Sequence, residues 1–202
     1  MRDVVCGIWY EGLRSKNRRI PSLTGFFCSI LSCMRNALVV IAPQGYQDVE
    51  LDGTLKGLRA AGFSISLAST EVGTCTGKFG GKQEATVAMR EVSIDDYDRF
   101  AFIGGPGAAA LAENPDAIAL AKKIAESGKV LGAICIAPTI LAAAGVLDGK
   151  RATVWDSAGE QIAFLKKHGA TYSGEDVTVD GVLVTGNGPH AAMEFGQTLA
   201  RL

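Results

Sequence analysis

The sequence predicts an α/β chain built on a doubly wound, mostly parallel sheet with helices on both faces and a nucleophile elbow. Three observations carry that prediction. Short, continuous apolar runs such as Ala37 to Ala42 and Val130 to Ile134 have the composition of strands covered on both sides. Segments of helical period follow them and close on glycine, as Gln47 to Ala61 does at Gly62. The strand ending at Ile134 runs through Cys135 straight into an Ala-rich helical stretch, Ile136 to Ala144. Small residues two before and two after the corner, Ala133 and Ala137, suit a tight turn that lifts one side chain above the sheet edge. A thiol at such a helix start is expected to be a better acid than a free one.

Composition narrows the function. With 202 residues, 48% of them hydrophobic and 20% charged, the chain can bury a sizeable single core. A net charge of −1 offers no field for nucleic acid, and no apolar run approaches the roughly 18 residues of a membrane helix. Five irregularly spaced cysteines make neither a disulfide framework nor a metal site, so no metal is expected. Residues 1–33 stand apart. They hold Cys6, Cys28 and Cys33 and a basic cluster, Arg14, Lys16, Arg18 and Arg19. The expected division is an N-terminal extension over 1–33, arising from a misplaced start, a transit segment or disorder, and a folded domain over 34–202. Met34 reads as the natural start.

In order, the elements expected are a strand to Ala42, a break at Pro43-Gln44-Gly45, a helix from Gln47, and a strand from Phe63 to Ala68. A Gly- and Lys-rich loop or short hairpin follows at Thr74 to Gly81, holding Cys75, then an extended edge segment at Ala85 to Val92. Phe100 to Ile103 is a buried strand ending at Gly104-Gly105-Pro106-Gly107, and a helix spans Pro115 to Ser127. Beyond the elbow come a helix from Ala158 to His168, a short strand from Thr171 to Ser173, a hairpin about Asp180-Gly181, and a closing helix from Ala191. Ligands in such folds sit at the carboxyl ends of the strands, where the elbow and the Gly104-Gly105 loop both lie.

Three features bear chemistry. Cys135 is the nucleophile candidate. The N–H groups of Gly104, Gly105 and Ile136 are candidates for an oxyanion hole. Asp48 and Glu50 open a helix two residues apart, so they point in different directions and only one can face the site.

The opening strand, Gly45-x-x-x-x-Glu50, Gly104-Gly105, and Ala133-Ile134-Cys135-x-x-Pro138-x-x-Leu141 resemble the ThiJ/PfpI superfamily, closest to its deglycase branch. The likeness extends through Gly145-Val146-Leu147, Asp180-Gly181, Thr185-x-x-Gly188-Pro189 and Glu194-Phe195, covering 35–202. It implies a flavodoxin-like fold, Cys135 as a reactive, oxidation-prone thiol, Glu50 as the acid beside it, and Gly105 as a backbone donor. A protonated Glu50 would then face a Cys135 thiolate. The peptidase-like branch has His after the cysteine. Here Ile136 stands there, which argues against amide cleavage, since that needs an imidazole for the leaving nitrogen. Trp155 occupies a place where relatives carry His or Tyr, and it cannot titrate. With Pro189 and His190, it is a candidate substrate contact. His168, beside Lys166 and Lys167, reads as a favourable charge at a helix end.

The implied activity is glutathione-independent conversion of methylglyoxal or glyoxal to the hydroxy acid through a Cys135 hemithioacetal, with Glu50 as proton shuttle and no cofactor. One rival is a cysteine-based oxidative-stress sensor, and another is an interaction protein with a silent site. The resemblance also implies a homodimer, for which the helix near Glu50 offers a surface. The irregular cysteines make a reducing, cytoplasmic location the expectation, or an organellar one if 1–33 is a genuine transit segment.

Overall fold

The computed structural model describes residues 35–202, and the readings made for 1–33 lie outside the described residues. Seven strands form the central sheet: β1 (Arg35–Val40), β3 (Phe63–Ser69), β6 (Val87–Ala88), β7 (Arg99–Phe102), β8 (Val130–Ile134), β11 (Val177–Asp180) and β12 (Leu183–Gly186). Their order across the sheet is β11-β12-β8-β7-β1-β3-β6. Every pairing is parallel except β11 with β12, the hairpin about Asp180-Gly181. The chain steps outward from β1 to β3 and β6, then returns to β7 on the other side. That reversal opens a crevice beyond the carboxyl ends of β1 and β7.

Alternation along β1 shows why its run is unbroken. Leu38 and Val40 enter one apolar cluster, and Ala37 and Val39 enter another on the opposite face, all at 0% exposure. The first face is covered by α2 (Pro106–Leu111), α3 (Pro115–Glu126), α4 (Pro138–Ala143) and α5 (Glu160–Lys167), through Leu111, Leu120, Ile124, Ile140 and Leu165. The second is covered by α1 (Asp48–Ala60) and α6 (Ala192–Arg201), through Leu51, Leu55, Leu58, Phe195 and Leu199.

These two helices meet almost backbone to backbone. A Cβ added at Gly57 would lie 2.5 Å from the Gly196 carbonyl carbon, and one at Gly53 would lie 2.6 Å from Ala192 Cβ. Dense packing of this kind tolerates no insertion. The apolar face of α1 formed by Leu51, Leu55 and Leu58 packs inside the protomer.

Smaller elements depart from the sequence reading. Thr74 to Gly81 is indeed part of a hairpin, formed by β4 (Gly73–Gly77) and β5 (Lys82–Ala85), with β2 (Gln44–Tyr46) paired to β4. Cys75 thus lies on a strand, 2% exposed, rather than in an irregular loop. The helix after the elbow begins at Pro138, since residues 135–137 form a turn, and it is only six residues long. Two short elements were not foreseen, α2 and β9 (Arg151–Ala152), which pairs in parallel with the strand expected at Thr171, β10 (Thr171–Tyr172). His168 caps α5, with Nδ1 2.9 Å from the Phe164 carbonyl.

Replacing Gly57 by Val forces α1 and α6 apart. The expected cost is about 2–3 kcal/mol in unfolding free energy, measured by chemical denaturation, with native secondary structure retained.

Candidate functional site

Cys135 has φ 63°, the one non-glycine among the described residues with positive φ. A side chain in that conformation costs about 1–2 kcal/mol, so the surroundings must impose it. They do so through backbone bonds on both sides. The Cys135 N–H donates to the Gly186 carbonyl at 2.8 Å, and its carbonyl accepts from the Trp155 N–H at 2.9 Å. Ala133 and Ala137 are both fully buried, as the tight corner requires. The elbow read from the sequence is present, and it presents Sγ at the carboxyl end of β8.

Glu50 comes to the thiol from the first turn of α1 and is 0% exposed. Its Oε2 accepts from the Gly104 N–H at 3.1 Å. Its Oε1 has no hydrogen-bond partner, and the Cys135 sulfur lies beside the carboxyl without closing a well-formed bond. Only glycine fits at 104, because a Cβ there would sit 2.5 Å from Cys135 Cβ and 2.8 Å from Glu50 Oε2. The Gly104 N–H therefore holds Glu50 and is not part of an oxyanion hole, which corrects the reading of that residue. The Gly105 and Ile136 N–H groups do aim at the sulfur. Gly105, at φ 102°, is locked against the strand β2 loop, and the Gln47 N–H donates to the Gly104 carbonyl at 2.9 Å.

Burial dominates the titration of this pair. Desolvation raises Glu50 to about 7, against a smaller lowering by the Cys135 thiol, the Gly104 N–H and the Lys78 charge. Desolvation, followed by the Glu50 charge, pushes the Cys135 thiol up to about 12, and the N–H groups of Gly105 and Ile136 offset only part of it. The thiol is thus a weaker acid than a free one, contrary to the expectation from a helix start. The helix is short, it begins three residues later, and water is excluded. A readily protonated Glu50 agrees with the sequence reading, while the resting thiolate does not: the sulfur keeps its proton, with a carboxylate beside it above about pH 7.

A cavity of about 200 Å³ opens onto this pair. Pro106, Ile136, Trp155 and Pro189 form its apolar side. Trp155 and Pro189 are therefore where the sequence reading put them. His190 is not: it is exposed and its Nε2 lies 2.9 Å from Asp176 Oδ1, away from the cavity. Gln47 and Lys78 also line the cavity, and sequence reasoning missed both. Gln47 was legible as the N-cap of α1, since its Oε1 accepts from the Val49 N–H at 2.9 Å. Lys78 is brought in by the hairpin tip, which Asp48 grips through the Phe79 and Gly81 N–H groups at 2.8 and 2.9 Å. Asp48 thus faces the hairpin while Glu50 faces the thiol. Among the described residues no cluster of three or more His, Cys, Asp or Glu is arranged to hold a metal ion, and no helix is long and apolar enough to cross a membrane.

A buried carboxyl against a strained cysteine at the strand ends of a doubly wound sheet defines a thiol site of the nucleophile-elbow class. The chain belongs to the DJ-1/PfpI family, whose model matches residues 35–202. It is 39% identical over 166 residues to an uncharacterized protein of Methanocaldococcus jannaschii, covering 81% of this chain and 80% of that one. It is 32% identical to a deglycase of Thermococcus kodakarensis, covering 75% and 90% of the two chains. It is 29% identical to a glutathione-independent glyoxalase of Caenorhabditis elegans, covering 82% and 87%. The crystal structure of a ThiJ/PfpI domain protein from Brachyspira murdochii superposes with a TM-score of 0.79 at 30% identity, covering 83% of this chain and 95% of that one.

The raised Glu50 has a consequence for stability. The folded protein holds this proton up to about pH 7, whereas an ordinary glutamate loses it near 4.5. Between those values the folded state binds more protons than the unfolded one, so stability falls as pH rises and levels off above 7. The expected contribution is about 3 kcal/mol. Denaturant unfolding of the wild type and Glu50→Gln at about pH 5 and about pH 8 checks it: the variant gains on the wild type as pH rises.

Proposed function

We propose that the protein is a glutathione-independent glyoxalase acting on small 2-oxoaldehydes such as methylglyoxal. The observation that carries this reading is the buried Glu50 carboxyl set against the Cys135 thiol at the base of the cavity, with backbone N–H groups aimed at the sulfur. The names of the deglycase and glyoxalase relatives support the same chemistry.

In this mechanism Glu50, ionised, takes the proton of the Cys135 thiol as Sγ bonds to the aldehyde carbon, and returns it to the former carbonyl oxygen. The product is a hemithioacetal. Glu50 then removes the hydrogen left on that carbon and, through an enediol, delivers it to the adjacent former ketone carbon. A thioester of the 2-hydroxy acid results. Water cleaves it, releasing lactate from methylglyoxal and restoring the thiol. The aldehyde carbon is oxidised and the ketone carbon reduced within one molecule, so no external electron acceptor enters. Ile136 in place of an imidazole suits this sequence, because no amine has to be protonated on leaving.

The sensor reading draws on the same N–H groups, which would hold the oxygens of an oxidised sulfur. The sulfur's burial and its grip on its proton count against it, since oxidation follows thiolate character and exposure. Peptide mass spectrometry after mild peroxide, run beside a methylglyoxal assay, separates the two: selective Cys135 oxidation without turnover favours the sensor.

Cys135→Ala is expected to abolish lactate formation. Glu50→Gln is expected to lower kcat/KM by about 10²–10⁴-fold. In the wild type kcat/KM rises through an inflection near pH 7 as Glu50 ionises, and the glutamine variant lacks the inflection. Full activity of Cys135→Ala sinks the mechanism.

A further inference from the structure

The cavity is chemically two-sided in a way that methylglyoxal does not use. Its base holds Cys135 and Glu50. Two of the residues lining the cavity carry side-chain hydrogen-bond donors. Lys78, an exposed residue, is one, and its ammonium enters no ion pair among the described residues, resting instead 5.5 Å from the Phe79 ring. Gln47 is the other and is 7% exposed. Because its Oε1 is engaged by the Val49 N–H, the amide NH₂ is the end free to donate. A cation and a neutral donor lining one cavity form a seat for an anionic oxygen pair.

The seat is positioned. Asp48 fixes the hairpin tip through two backbone N–H bonds on either side of Gly80, and the Lys78 N–H donates to the Tyr46 carbonyl at 2.7 Å, so the lysine backbone is tied to the loop that leads into Gln47. Pro106, Ile136, Trp155 and Pro189, which also line the cavity, suit a short hydrocarbon stem.

We infer that Lys78, with Gln47, is a specificity-determining anion seat, and that the preferred substrates are 2-oxoaldehydes bearing a carboxylate on a short apolar stem. This rests on the glyoxalase reading and names the substrate class of the same site. The negative charge of Glu50 at the base orients such a substrate, aldehyde toward the thiol and carboxylate toward Lys78. The chemistry is unchanged: 4,5-dioxopentanoate, whose aldehyde carbon adds Sγ and whose ketone carbon receives the shuttled hydrogen, yields 2-hydroxyglutarate with one water consumed.

The test compares kcat/KM for 4,5-dioxopentanoate and methylglyoxal in the wild type, Lys78→Gln and Lys78→Arg. Taking the ratio of the two substrates within each protein, and then across proteins, cancels their intrinsic carbonyl reactivities. The ratio is expected to fall about 10- to 100-fold in Lys78→Gln and to recover largely in Lys78→Arg. A ratio that does not move overturns the anion seat. Binding is read separately, as protection of Cys135 from iodoacetamide by each aldehyde. If the wild type turns over neither compound but 4,5-dioxopentanoate protects at lower concentration, and Lys78→Gln removes that preference, the seat stands and the glyoxalase reading falls. Equal protection by both aldehydes in wild type and variant overturns the seat.

Discussion

The site depends on one constraint, a fully buried carboxyl group held by a single backbone N–H. Glu50 at 0% exposure with one free oxygen is costly as an anion, so burial keeps its proton on up to about pH 7. The requirement runs outward. Gly104 must lack a side chain so that its N–H can reach Oε2 while Cys135 passes close by. The β7 loop must then turn sharply at Gly105, and the Gln47 N–H holds the preceding Gly104 carbonyl from the β1 side. Three strand ends are tied together for the sake of one side chain.

The same burial changes how the cysteine must work. A thiolate at rest needs either water or a strong dipole, and neither is supplied here. The helix beyond the corner is six residues long and starts at Pro138, too short and too far along the chain to outweigh desolvation. Backbone N–H groups at Gly105 and Ile136 aim at the sulfur and favour negative charge there, offsetting part of the cost of burial.

Much of this was legible in the sequence, for reasons that differ by residue. The alternation of apolar runs with glycine-closed helices placed the sheet, because strands buried on both faces admit little else. Ala133, Cys135 and Ala137 marked the corner, since only small neighbours fit it. The choice between Asp48 and Glu50 followed from their being two apart on a helix, although which one faced the site rested on resemblance. Sequence pattern was silent where a contact joins segments far apart in the chain. His190 pairs with Asp176 across a loop, and the Gly104 N–H is claimed by a residue 54 positions earlier. The acidity of the thiol was misjudged because a strand-to-helix corner suggests a dipole, whereas burial is set by everything packed around it.

Lys78 belongs to the last group, and it shows how the hairpin completes the site. A Gly- and Lys-rich stretch reads as solvated connection, and on its own backbone it would be. Asp48 alters that by accepting from the Phe79 and Gly81 N–H groups, with Gly77 and Gly81 bare of side chains so that the carboxylate can come close. The acid that does not face the thiol therefore brings a cation to the cavity in which the other acid sits. That cation lowers the cost of ionising Glu50. Two acids two residues apart, pointing in different directions, thus serve one pocket: Glu50 lines it, and Asp48 holds the hairpin that brings Lys78 to it.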